Sequence, residues 1–167
     1  MIPSQEHSIP KLRTTLKPGD IGSIIHLHGI LYARECGWDH TFEGYVAEGL
    51  AKFAISCDPC KDRIWITEVD GRIIGCISIV GYSETEAQLR WFLMHPDLRG
   101  RGLGKKLIDE AIQFSRDCGF KSIFLWTTSN LKAAARLYES VGFSKTDEKT
   151  HQIWGQILTE ERWDLTL

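Results

Sequence analysis

Residues 95–107 read HPDLRGRGLGKKL and follow the apolar run LRWFLM. Glycines at 100, 102 and 104 alternate with Arg99, Arg101 and Leu103, and Lys105 and Lys106 come next. The apolar run reads as a strand and the residues from Leu103 as a helix, so the glycines fall where a sheet hands over to a helix. Amides at the start of a helix have no intrahelical acceptor, and the helix dipole adds partial positive charge there. Glycine lets the chain take φ > 0 and lets an anion approach those amides closely. With the side-chain cations, the stretch suits a phosphate or pyrophosphate. Two phosphate loops are excluded by spacing. A P-loop needs glycine where Arg99 stands and Ser or Thr where Lys106 stands, and the dinucleotide fingerprint needs glycine in place of Lys105. A plain solvated loop would spend backbone entropy for nothing, so anion binding ranks first.

Cys57-Asp-Pro-Cys60 also has chemical potential, as a redox pair or half of a zinc site, with His26 and His28 as conceivable partners. No second pair stands nearby, so it reads as a turn carrying two thiols and no metal site is expected.

The elements that position these residues follow from periodicity. KLRTTLKP (11–18) predicts a short strand ending in a turn. Asp20 is placed to cap a helix with Ile24, Ile25, Leu31 and Tyr32 on one face, and a second helix is predicted from Phe42 to Ile55. Asp70-Gly71 between two β-rich runs is a hairpin signal, and 87–95 gives a third strand through alternating Leu89, Trp91 and Leu93. Leu107, Ile108, Ala111, Ile112 and Cys118 mark an amphipathic helix stopped by Gly119. SIFLWTT (122–128) is a buried strand, and 131–141 is a helix with Asn130 as N-cap and Gly142 past its end. Two weaker strands are expected at 151–157 and 162–167. Trp65, Trp91, Trp126, Trp154 and Trp163 fall in these strands and read as core. The crossover from 87 to 128 makes its two strands parallel, giving a mixed α/β layer in a single domain over residues 1–167.

Composition narrows the class. The 167 residues carry a net charge of −2, 43% hydrophobic and 25% charged residues, which is ordinary for a globular protein and offers no basic footprint for nucleic acid. No stretch is long enough to span a membrane, and MIPSQEHSIP lacks the build of a signal peptide. Five cysteines without framework spacing fit reduced thiols in a cytoplasm.

Arg99-Gly-Arg-Gly102-Leu-Gly104 resembles the Arg/Gln-x-x-Gly-x-Gly/Ala signature of the GNAT superfamily of acetyl-CoA-dependent N-acetyltransferases. Pro96 ahead of it and LYESVGF (137–143) after it are similar to that family too, and element order matches from Lys11 to the end. The chain also resembles the acetyltransferase half of fusions with MarR-type regulators, without their winged helix. The resemblance implies a mostly antiparallel sheet with a central parallel pair and helices on both faces, acetyl-CoA as cosubstrate, and a homodimer among the assemblies such relatives form. It implies that the amides from Arg99 through Gly100, Arg101, Gly102 and Leu103 to Gly104, with Lys105 beside them, hold the coenzyme diphosphate. The backbone of Phe92, Leu93 and Met94 would carry the pantetheine arm, and Tyr138 would protonate the departing thiolate.

The sequence departs from the family twice. Where many relatives place Asn seven residues before the tyrosine stands Leu131, with Asn130 one step early and expected to contact the coenzyme in its place. Leu125 and Trp126 stand where acetyltransferases of protein N-termini often carry a Glu base. The base and acceptor pocket must then come from the first helices and the strand before the glycines. Glu84, Glu86, Gln88 and Arg90 lie on or near that strand. His28, Tyr32, Trp38 and Arg90 are expected to bind the acceptor, and Glu43 to act as base. The expected acceptor is a primary amine of a small molecule. A protein or peptide acetyltransferase, or an acyl-CoA sensor without turnover, are the alternatives.

Overall fold

The protein is described by a computed structural model covering residues 8–167; the first seven residues of the stretch read for a leader lie outside it. Asp70 and Gly71 take φ of 49° and 76°, the left-handed pair a two-residue hairpin turn needs. They join β2 (Arg63–Val69) to β3 (Arg72–Gly81), and β4 (Glu86–Met94) continues the meander. With β1 (Lys11–Arg13), β5 (Ser122–Thr128), β6 (Ser144–Ile153) and β7 (Gln156–Thr166), these strands form one sheet in the order β1-β2-β3-β4-β5-β7-β6. Only β4 and β5 run parallel, across the crossover helix α3 (Leu103–Asp117). Helices α1 (Asp20–Cys36) and α2 (His40–Ser56) bury Ile24, Leu31, Phe42, Val46 and Leu50 on one face, while α3 buries Leu107, Ile108 and Ala111 on the other. Helix α4 (Lys132–Ser140) follows β5 and buries Tyr138.

The decisive irregularity is in β4. Between the pairs Cys76–Leu93 and Ser78–Arg90, β3 has one residue where β4 has two, and Trp91 sits at φ 49°. Such a bulge shifts the alternation by one residue and bends its strand. Ala87 and Leu89 therefore pack with α3, but Trp91 and Leu93 pack with α1 and α2. The bend also separates β4 from β5, whose pairing covers only Glu86–Gln88 against Ser122–Phe124.

Several sequence expectations are corrected. β1 stops at Arg13 rather than running to 18. Asp20 caps nothing: Gly19 is the N-cap, and the Asp20 carboxylate instead takes both ends of the Arg13 guanidinium at 2.7 and 2.8 Å and the Lys17 N–H. Asn130 does not cap α4 either, since Leu131 occupies that position. The tail forms a long hairpin, not two short strands. Its turn is Trp154-Gly155, at φ 51° and 80°, inside what reads as one strand from 151 to 157. Trp154 holds that costly conformation by packing on Trp38, Phe42 and Tyr45, and its carbonyl accepts from the Asp39 N–H. Trp65, Trp91 and Trp163 are core, whereas Trp126 and Trp154 are only partly buried.

Candidate active site

Where β4 and β5 part, two cavities meet and share Tyr32, Phe92 and Leu131 as walls. The larger, about 640 Å³, runs past Phe92, Leu93, Met94, Arg99, Gly100, Gly102, Gly104, Lys105 and Asn130. The structure thus brings the expected coenzyme residues to one groove, with Arg101 and Leu103 in the same turn but off its wall. β4 beyond Gln88 offers this groove an edge with no strand paired to it from β5.

The turn itself has the backbone geometry that could hold an anion. Gly100 and Gly102 sit at φ 74° and 77°, and a Cβ at either would meet no protein atom within 4 Å. The first bond into α3 runs from the Lys106 N–H to the Gly102 carbonyl, and among the described residues no N–H from Gly100 to Lys105 has a protein acceptor. A run of unspent amides at a helix start fits a diphosphate. The cradle begins one residue later than expected, because the Arg99 N–H is used by the Pro96 carbonyl. The Arg99 side chain is also occupied: it grips both Glu35 oxygens at 2.9 Å and donates to the Met94 carbonyl. It braces the loop against α1.

The smaller cavity, about 110 Å³, is walled by rings: Tyr32 stacks on Trp38 at 4.8 Å, and Phe42, Tyr45, Trp126 and Trp154 complete the enclosure. Gln88, Arg90 and Thr128 come from the parted strands, and Tyr138 reaches in from α4. Tyr138 is only 6% exposed, and burial pushes its phenol above its ordinary range, so it keeps its proton. His28 is 3% exposed; burial pushes it down to about 4, against a partial offset from its Nδ1 bond to the Ile24 carbonyl at 2.9 Å. A carbonyl only accepts, so Nδ1 carries the proton and Nε2 is an acceptor.

Three buried side-chain polar atoms have no partner among the described residues: Trp38 Nε1, Trp91 Nε1 and Thr128 Oγ1. All three residues line this same cavity. Each of these atoms is itself sealed within the packing, so they mark a tightly closed wall and do not face the cavity.

Glu43 does not join the site. Its carboxylate lies against Gly29 in the α1–α2 contact, and the residue lines neither cavity. His26 is exposed, Glu84 pairs with Lys61, and Glu86 pairs with Arg162 at 2.7 Å. The carboxylate that does line the cavity is Glu160 on β7, 14% exposed, with His151 Nε2 at 2.5 Å and Lys149 Nζ at 3.5 Å. It falls between the two short tail strands read from sequence, and only the continuous β7 carries it to the cleft. Cys57 and Cys60 are exposed free thiols beyond α2.

Residues 31–143 match the acetyltransferase (GNAT) family. The chain belongs to that family. It is 31% identical to the probable N-acetyltransferase camello of Xenopus laevis over 143 residues, 83% of this chain and 60% of that protein. It is 37% identical to the uncharacterized N-acetyltransferase YjgM of Escherichia coli K12 over 86 residues, 50% of this chain and 52% of that one. The chain thus spans between about half and 60% of these relatives. The same fold appears in a GNAT-family acetyltransferase of Streptococcus pneumoniae, with TM-score 0.72, 16% identity, and 95% and 100% of the two chains covered. A GNAT-family acetyltransferase of Elizabethkingia anophelis with acetyl-CoA bound shares it at TM-score 0.66 and 12% identity, covering 95% and 98%. Among the described residues, no helix of this GNAT chain is long and apolar enough to cross a membrane.

Proposed function

We propose that this chain transfers the acetyl group of acetyl-CoA to a primary amine of a small molecule. The observation that carries this reading is the junction of an amide-lined groove with a narrow aromatic cavity that holds a carboxylate. The N–H groups from Gly100 to Lys105 would hold the diphosphate, and the free edge of β4 at Phe92–Met94 would pair with the pantetheine arm. The thioester would then lie near Phe92, where the cavities meet, with a β4 N–H polarising its carbonyl. Losing such a donor typically costs ~10²–10³ in rate.

The amine attacks directly and must be neutral to do so. Glu160 would take its proton and pass it through His151, which is part-exposed, to solvent. Tyr138 would give its proton to the departing coenzyme thiolate. A thiol of pKa about 8.5 leaves fairly well unaided, so the contribution of Tyr138 is modest. A cavity of about 110 Å³ favours a small acceptor over a folded protein surface. The exposed thiols of Cys57 and Cys60 suit a reducing cytoplasm.

Coenzyme A release over a panel of small amines and peptides tests this. The expected result is release with small amines, and a Glu160→Gln variant slowed roughly 10²-fold at neutral pH, with the loss shrinking as pH rises. Tight acetyl-CoA binding with no release from any amine would make the domain a sensor. Release with peptides alone would make it a peptide acetyltransferase.

A further inference from the structure

Arg90 brings a cationic side chain to the smaller cavity, where among the described residues it lies against aromatic rings and no carboxylate neutralises it. Its guanidinium carbon lies 4.5 Å from the Trp91 ring centre and 5.8 Å from that of Tyr45. Among the described residues, no carboxylate pairs with it and no acceptor takes its N–H groups. Arg13, Arg99 and Arg162 are all committed to carboxylates. The surroundings are built to admit it. Gly49 sits inside α2, where glycine is a poor helix former, and a Cβ there would come within 2.8 Å of Trp91 Cζ2 and 2.9 Å of Arg90 Nη2. Gly49 therefore makes room for the Arg90 side chain between α2 and the bulged strand.

A guanidinium fork with unspent donors is matched to a carboxylate. β7 supplies Glu160 to the same cavity, a partner for an amine, and aromatic rings line the rest of it. One kind of molecule meets all three demands: an amine, an anionic oxygen group and an apolar body.

We propose that the acceptor is an amino acid with an aromatic or bulky apolar side chain, its carboxylate held by Arg90. This rests on the acetyltransferase reading and adds a specificity residue to it. The test uses matched pairs: phenylalanine against phenethylamine, and leucine against isoamylamine. Coenzyme A release is measured at saturating acetyl-CoA, with rates referred to the neutral amine. A hydrogen-bonded charge pair of this kind predicts that kcat/KM favours the carboxylate-bearing member by at least ~30-fold. In Arg90→Met that preference falls to within about threefold, while Arg90→Lys retains part of it, since a point charge replaces the fork. A merely structural role for Arg90 would lower both members of a pair together and leave the ratio intact, which overturns the proposal. Equal use of both members by the unmodified protein overturns it too, with the acetyltransferase reading left standing. If acetyl-CoA binds but no amine of any class releases coenzyme A, both readings fall.

Discussion

Replacing His28 by Asn should change how stability depends on pH. The ring is buried, its Nδ1 proton is committed to the Ile24 carbonyl, and burial pushes its pKa down to about 4. An unfolded histidine titrates near 6.5, so protonation favours the unfolded chain. The stability that comes from keeping the ring neutral is complete above that value and drains away as pH falls toward 4. Between pH 7 and pH 5 the loss amounts to about 2 kcal/mol. Urea denaturation of the parent and His28→Asn at pH 7, 6 and 5 reads it directly, because the remaining titrating groups are common to both and cancel in the difference. The variant should be less stable at pH 7, and its deficit should shrink by about 2 kcal/mol by pH 5. A deficit constant across that range would refute the claim that the buried ring is neutral. The same neutrality keeps Nε2 an acceptor at physiological pH.

Tyr138→Phe should lower kcat roughly tenfold, with acetyl-CoA affinity unchanged by calorimetry, since only the hydroxyl is removed from a packed ring. Asp20→Asn breaks the grip on Arg13 and the Lys17 N–H, and should cost about 2–3 kcal/mol at pH 7 by denaturant melts. Arg13 and the Lys17 N–H hold the Asp20 carboxyl below its usual range against the opposing effect of burial, so this contribution is present above pH 4 and fades below it. Glu35→Gln loosens the brace on Arg99, but both side chains are well exposed, so the stability change should stay under about 1 kcal/mol. Gly100→Ala and Gly102→Ala force a side chain into the left-handed region and should each cost about 1–2 kcal/mol, although no atom obstructs the methyl.

The sequence exposes those features whose chemistry is local. Asp70-Gly71 announces its turn because the residues themselves favour left-handed backbone. The turn between β4 and α3 is legible because glycines and cations coincide at a strand-to-helix junction. Trp154-Gly155 makes the same kind of turn and stays hidden, since a tryptophan is held there only by Trp38, Phe42 and Tyr45 from distant helices. The bulge at Trp91 leaves the apolar alternation of Leu89, Trp91 and Leu93 undisturbed in the sequence while turning Trp91 and Leu93 to the opposite face. That bulge opens the cleft. Asp20 could cap a helix or bind Arg13, and the choice depends on where β1 lies. Glu160 carries no local signal, and its place beside the cavity follows from the length of β7 and its pairing with Thr128 and Lys149.

On the proposed function, main-chain amides between β4 and α3 hold the diphosphate of acetyl-CoA. Titration calorimetry of the unmodified protein with acetyl-CoA and with acetyl-pantetheine, which lacks the diphosphate, tests it most directly. One-to-one uptake of acetyl-CoA is expected, with binding of acetyl-pantetheine weaker by at least ~100-fold, the scale of two or more charge-assisted hydrogen bonds. Absence of acetyl-CoA uptake, or equal affinity for the two compounds, would contradict it.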